Sequence, residues 1–254
     1  MTTTLTTAIA PPARVPSPRV SVVVPTLNEA ANLPHVFAEL PPVHEVILVD
    51  GFSTDGTIDV ARRLRPDIRI VTTDVRGKGA ALSAGFAAAR GDIVVMLDAD
   101  GSADPREIDA FVAALSAGAD FAKGSRFSDG GGSADITPLR RLGNRALNGI
   151  VNLLYGTDYS DLCYGYNAFW SYCLPHMNVD CSGFEVETLI NIRIARAGLT
   201  VAEVPSFEWE RIHGTSNLRT FRDGLRVLRT ICRERLRRAP HASGAQFDGV
   251  LDAA

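Results

Sequence analysis

The sequence predicts an α/β fold, a mostly parallel, Rossmann-like sheet flanked by helices, and three observations carry that expectation. Short apolar runs of strand length alternate with segments of helical period. The runs are apolar at successive positions, as parallel strands buried on both faces are, and lack the in-and-out alternation of a one-sided sheet. The runs at 20–24, 45–49 and 93–97 each lead at once into a polar turn. Open α/β sheets bind ligands at that place, beyond the carboxyl ends of their strands.

Residues 1–18 are rich in Thr, Ala and Pro and lack the basic start and apolar stretch of a secretory signal, so a disordered leader is expected. The first strand, 20–24, is β-branched and ends at Pro25. A helix at 29–40, a strand at 45–49, a helix at 57–64 and a strand at 68–71 follow. The Ala-rich helix 79–89 stops before Gly91, a good terminator, and the strand 93–97 comes next. A strand at 119–122 runs into Gly124-Ser125-Arg126 and then Asp129-Gly130-Gly131-Gly132-Ser133, a glycine-rich loop suited to act as a lid. Helices are expected at 138–154, at 184–197 and from 217 or 218 to 238, with a flexible tail at 239–254. No repeat or linker divides the chain, so 19–238 reads as a single domain.

A chain of 254 residues can bury a sizeable core. With 46% hydrophobic and 22% charged residues and a net charge of −3, nothing draws the whole molecule toward nucleic acid. No stretch reaches the roughly 18–20 apolar residues of a spanning helix, so no transmembrane segment is expected. The expected location is cytoplasmic, with peripheral attachment to the cytoplasmic membrane face left open. The four cysteines lack C-x-x-C spacing and read as buried, reduced thiols.

The polar turns carry the chemistry. Asp98 and Asp100 are carboxylates one residue apart at a strand end. Such oxygens suit Mg2+ or Mn2+, ions that keep places for water and substrate phosphates. The alternative is a structural turn at Asp100-Gly101 with Asp98 as a cap. Asp50 ends a buried strand, where it can accept hydrogen bonds from a nucleobase, and Asn28 and Glu29 can hold the base or ribose from the adjoining turn. Asp55 opens the next helix, as a cap or as a donor-site residue. Arg76-Gly77-Lys78-Gly79 precedes a helix, yet G-x-x-x-x-G-K-[ST] and G-x-G-x-x-G are both absent there, which excludes a P-loop NTPase. Lys78 reads either as a donor contact or as a solvated turn lysine.

Residues 22–29 (Val-Val-Val-Pro-Thr-Leu-Asn-Glu), 50–57 (Asp-Gly-Phe-Ser-Thr-Asp-Gly-Thr), Gly77-Lys78-Gly79-Ala80 and Asp98-Ala99-Asp100, in this order, resemble the family 2 glycosyltransferases. The likeness covers about residues 19–220 and is strongest to the branch of polyprenyl (dolichyl) phosphate sugar synthases. It implies a GT-A fold and a metal-dependent inverting transfer from a UDP- or GDP-linked sugar. Pro25, Leu27, Glu29 and Asp50 would frame the nucleotide, Asp98 and Asp100 would bind the metal, and Ala99 would line the donor. Arg126 resembles the family arginine near the sugar and phosphates. Asp161, in Asp161-Leu162-Cys163-Tyr164-Gly165-Tyr166-Asn167, falls on the aspartate that orients or deprotonates the acceptor. Arg211, in Arg211-Ile212-His213-Gly214-Thr215-Ser216-Asn217, opens the late segment that closes over the diphosphate. Gly51 stands where many relatives have a second Asp, and Ser102 where some have Gln. Asn167 and Asn217 replace a family arginine and lysine.

The implied acceptor is a polyprenyl phosphate, with a soluble alcohol or saccharide as the alternative. A non-catalytic nucleotide-sugar-binding module is the reading of another class. A sugar-1-phosphate nucleotidyltransferase lacks support, because no Gly-rich, Arg-containing loop follows the first strand. In the last helix Leu218, Phe221, Leu225, Leu228 and Cys232 recur at helical spacing beside Arg219, Arg222, Arg226, Arg229 and Arg233. Either that stripe packs on the core with a solvated arginine face, or it lies on anionic lipid. The helix 138–154, with Arg140, Arg141 and Arg145 among leucines, poses the same choice.

Overall fold

The computed structural model of the chain describes residues 15–215 and 218–237. Nearly all of the expected leader, the tail, and the readings on Ser216, Asn217 and Arg238 lie outside the described residues. In chain order the elements are β1 (Val20–Thr26), α1 (Leu33–Ala38), β2 (Glu45–Asp50), α2 (Thr57–Leu64), β3 (Arg69–Thr72), α3 (Lys78–Ala88) and β4 (Ile93–Met96). Then come α4 (Ile108–Ser116), β5 (Phe121–Ser125), β6 (Gly132–Ser133), α5 (Pro138–Tyr155), β7 (Asn167–Trp170), α6 (Leu174–Met177), α7 (Val186–Arg196), β8 (Val201–Pro205), β9 (Phe207–Glu208) and α8 (Thr220–Leu236).

One seven-stranded sheet has the order β3-β2-β1-β4-β7-β5-β8, with β6 and β9 forming a separate two-stranded ribbon. The pairs β1–β2, β1–β4, β2–β3 and β5–β8 are parallel, and β7 alone runs against its neighbours β4 and β5. Val22 to Val24, Val46 to Val49 and Ile93 to Met96 are essentially fully buried, which is why these strands read as continuous apolar runs. After β1 the chain builds outward through β2 and β3, then crosses back to place β4 on the other side of β1. The carboxyl ends of β1 and β4 therefore flank the switch point where such sheets bind ligands.

Three expectations need correction. The first helix begins at Leu33, because Asn28 sits in the left-handed region (φ 60°) and residues 29–32 form a turn closed by Asn32 and Leu33 N–H groups on the Glu29 carbonyl. The glycine-rich loop is no free lid: Gly132 and Ser133 pair with Phe207 and Glu208, and Ser133 Oγ donates to Glu208 Oε2 at 2.5 Å. The thiols are all free, yet only Cys173 is buried and Cys232 is exposed on α8.

The last helix packs on the core, but not through the apolar stripe read in the sequence. Its inward seam is Asp223, Val227, Thr230, Ile231 and Glu234. Val227 and Ile231 join Val151, Tyr159, Leu162 and Ile192 in a small second core, and Arg193 holds Glu234 through two hydrogen bonds of 2.9 and 3.1 Å. At 100° per residue, Phe221, Leu225, Leu228, Cys232 and Leu236 fall on the opposite face, with Phe221 82% and Leu236 85% exposed. The same inversion holds in α5, where Asn144, Asn148 and Val151 face in while Leu139, Leu142, Ile150 and Leu153 face out. Two adjacent helices thus turn apolar stripes away from the core.

Candidate active site

The turns after β1 and β2 brace each other. Asn28 N–H donates to Ser53 Oγ at 2.9 Å, and Asn28 Oδ1 accepts from Thr54 N–H at 2.8 Å. Asp55 accepts from Thr57 N–H, Thr57 Oγ1 and Ala30 N–H. Burial opposes ionisation of Asp55, but these donors outweigh it and hold the carboxyl below its usual range. Asp50 Oδ2 accepts from Phe52 and Ser53 N–H groups and so keeps Phe52 at φ 74°. Asp50 Oδ1 is buried with no hydrogen-bond partner among the described residues. A buried acceptor left open is costly, and a nucleobase N–H would satisfy it.

A cavity of about 560 Å³ opens over the switch point and is lined by Pro25, Leu27, Glu29, Lys78, Asp98, Ala99, Asp100, Arg126 and Arg211. Asn28, Asp50, Asp55 and Asp161 are not on its wall and act from behind it. Lys78, at the start of α3, lies 2.7 Å from Asp98 Oδ1 and 2.8 Å from Glu187 Oε1. Burial alone would lower the Lys78 pKa, but the two carboxylates outweigh it and raise it well above the lysine range. Glu187 is pushed up by its own burial. Gly165 makes the cluster fit: a Cβ there would stand 2.6 Å from Lys78 Nζ and 3.0 Å from Asp98 Oδ2.

Asp100 faces a second cation. Its Oδ2 is 2.8 Å from Arg211 Nη2, and Arg211 Nη1 reaches Glu29 Oε1 at 2.9 Å. Its Oδ1 accepts from Ser102 N–H and Oγ at 2.9 and 2.7 Å. The late segment closes onto this turn through Trp209 N–H on Ser102 O and Ile212 N–H on Asp100 O. Gly101, at φ 77°, suits this turn, since a Cβ would be strained at that φ and would stand 2.5 Å from Ile212 Cδ1, forcing that side chain to move.

Arg126 forms the third wall. Its Nε and Nη2 grip Asp161 at 2.7 and 3.0 Å, its Nη1 reaches both Glu208 oxygens, and its guanidinium lies 4.9 Å from the Tyr164 ring centroid. Asp161 is fully buried and also takes Asn144 Nδ2 at 3.0 Å. Burial would raise its carboxyl, but the Arg126 bonds and charge prevail and hold it below the usual range. Buried Lys123 ties the Asp161 carbonyl in place.

Among the described residues no three Asp, Glu, His or Cys side chains gather at metal-binding distance. The donor set still fits a hard divalent cation, because two carboxylates on the wall leave the remaining positions to diphosphate oxygens and water. The cation would share Asp98 with Lys78 and Asp100 with Arg211. Sequence reasoning missed Glu187, Glu208, Asn144 and Tyr164.

The fold is that of the GT-A glycosyltransferases, with two strand-end carboxylates and their paired cations lining the cavity at the switch point of its sheet. Residues 21–175 match the glycosyl transferase family 2 model, and the chain belongs to that family. The chain is 36% identical over 219 residues to the polyprenol monophosphomannose synthase of Mycolicibacterium smegmatis, covering 80% of this chain and 82% of that one. It is 31% identical over 213 residues to the undecaprenyl-phosphate mannosyltransferase of Micrococcus luteus, covering 79% and 87%. Among solved structures, glucosyl-3-phosphoglycerate synthase from Mycobacterium tuberculosis, crystallised with Mn2+, UDP and glucosyl-3-phosphoglycerate, superposes with a TM-score of 0.68. The identity is 26%, over 85% of this chain and 80% of that one.

Proposed function

We propose that the protein transfers a sugar, with inversion, from a nucleoside diphosphate sugar to a polyprenyl phosphate at the membrane surface, in a reaction that needs Mg2+ or Mn2+. The observation that carries this reading is the arrangement of the cavity. Asp98, Asp100 and Arg211 line it together with Gly143 and Leu147 of α5 and Gly224 and Val227 of α8. The outward faces of those two helices are apolar and arginine-flanked, suited to an anionic bilayer. The names of the relatives above point to the same acceptor class.

Pro25, Leu27 and Glu29 frame the nucleotide, with Asp50 shaping the adjoining turn through the Phe52 and Ser53 N–H groups. A divalent cation between Asp98 and Asp100 would neutralise charge on the diphosphate. The acceptor phosphate oxygen forms a bond to the anomeric carbon as the bond to the diphosphate breaks, and the electron pair leaves with the nucleoside diphosphate. Arg211 and Arg126 supply fixed positive charge to the two phosphate groups. Asp161 holds Arg126 in place. An ionised phosphate acceptor needs no base, which suits a site whose candidate base has both oxygens taken.

A soluble phosphorylated acceptor is the second reading, favoured by the likeness to the phosphoglycerate-using synthase. The test is a screen of UDP- and GDP-sugars with Mg2+ or Mn2+ against vesicle-borne polyprenyl phosphate and against 3-phosphoglycerate. Transfer to the lipid is expected, and transfer to 3-phosphoglycerate alone would overturn the acceptor. Asp100→Ala should lower metal-dependent turnover about 10²–10³-fold with unchanged thermal melting. Full activity in that variant would remove Asp100 from the cation site.

A further inference from the structure

A second recess, of about 310 Å³, lies between the Arg76-Gly77-Lys78 turn, the Ser182-Gly183-Phe184 turn and the first turns of α8. It adjoins the main cavity, with Gly77, Lys78, Phe184 and Asp223 bordering both. Arg76, Arg219, Arg222 and Arg226 border it. Arg226 lies 3.6 Å from Asp223, whose other oxygen accepts the Arg219 backbone N–H. Gly183 leaves the space for this guanidinium, since a Cβ there would come within 2.9 Å of Arg226 Nη1.

Cations outnumber carboxylates here: Arg76, Lys78, Arg219, Arg222 and Arg226 line the recess with Asp223, and Glu185 lies beside Gly183. Lys78, Arg126, Arg193 and Arg211 each meet two carboxylates. Among the described residues no carboxylate lies within ion-pair distance of the Arg76, Arg219 or Arg222 side chains, and the Arg76 guanidinium rests over the Phe52 ring at 5.3 Å. Exposed guanidinium groups without carboxylate partners on one concavity can each donate to a shared phosphate. Such a cluster in a protein of net charge −3 is a local device.

We infer that this recess receives the phosphate of the lipid-borne acceptor, an inference that rests on the proposed function. The donor diphosphate already has Asp98, Asp100, Arg126 and Arg211 in the main cavity. The recess instead borders α8, whose outward Phe221 and Leu225 can carry an isoprenoid chain while Arg219 and Arg222 hold its headgroup. Arg219 and Arg222 follow shortly after Asn217, where the resemblance leads one to expect a lysine, and they restore cationic charge beside that segment.

The probe is citronellyl phosphate, a short soluble isoprenyl phosphate, with binding to the full chain measured by titration calorimetry without donor. Arg219→Gln and Arg222→Gln should each weaken binding at least about tenfold, with unchanged thermal melting. In vesicles the KM for polyprenyl phosphate should rise similarly while kcat changes less. Undetectable binding by the unaltered protein, or equal binding by it and both variants, would overturn the assignment. So would variants that lose only attachment to anionic vesicles, because the arginines would then serve bilayer headgroups. Arginine-dependent binding without sugar transfer to any lipid phosphate would leave the recess standing and sink the proposed function instead.

Discussion

Asp161 illustrates how a motif position and its surroundings can point to different roles. The resemblance marks it as an orienting or proton-accepting group, yet both its oxygens are engaged and its side chain is fully buried. A carboxyl held below its ordinary range stabilises the fold above that range and loses the contribution as pH falls through its folded value. Stability should therefore decline on acidification below about pH 4, and Asp161→Asn should flatten that decline in urea titrations repeated across pH. Asp161→Ala, which leaves Arg126 only Glu208, should cost about 3–5 kcal/mol. As a positioning group, Asp161 lowers kcat when changed to Asn but leaves the shape of the pH–rate profile intact. Disappearance of an acidic limb in that variant would restore the base role.

At the scale of elements, α5 and α8 separate burial from hydrophobicity. Phe221→Glu and Leu153→Glu, on outward stripes, should change stability by no more than about 0.5 kcal/mol. Both should reduce flotation with anionic vesicles. Val227→Glu, inside the second core, should instead unfold the helix pair. Sequence periodicity found both helices but could not say which face was inward, because the buried seam of α8 contains the polar Asp223, Thr230 and Glu234, and Glu234 is satisfied by Arg193, 41 residues away. The first half of the fold was legible because β1, β2 and β4 each carry an uninterrupted apolar stretch, at 22–24, 46–49 and 93–96, and their turns follow closely. In contrast, β7 is a short Asn-Ala-Phe-Trp segment whose reversed direction depends on its place between β4 and β5. The donor wall was legible for the same reason as the strands that hold it. Glu187 and Glu208 were not, since their partners Lys78 and Arg126 lie 109 and 82 residues away in sequence.

For the whole molecule, attraction to a membrane has to be local, since the net charge is −3. The arginines of α8 divide along its length. Arg233 and Arg237 are bound to Asp180 and Glu234, whereas Arg219 and Arg222, at the cavity end, face no carboxylate partner among the described residues. Arg219 and Arg222 thus keep side-chain charge without a carboxylate partner beside the cavity, where Arg226 is paired with Asp223, and an anionic surface would draw that part of the molecule toward itself. Each such arginine near the surface is worth about 1 kcal/mol at low salt. That attraction is screened as the Debye length falls from about 10 Å at 0.1 M to about 3 Å at 1 M, whereas the apolar stripes are insensitive to this screening. Co-sedimentation with anionic vesicles should thus weaken steeply over this range toward the weaker level seen with neutral vesicles. Sugar transfer to vesicle-borne polyprenyl phosphate should fall in parallel, and more than transfer to dispersed citronellyl phosphate. Attachment independent of both salt and lipid charge would assign membrane contact to Phe221, Leu225, Leu142 and Leu153 alone, and would remove the arginines from that role.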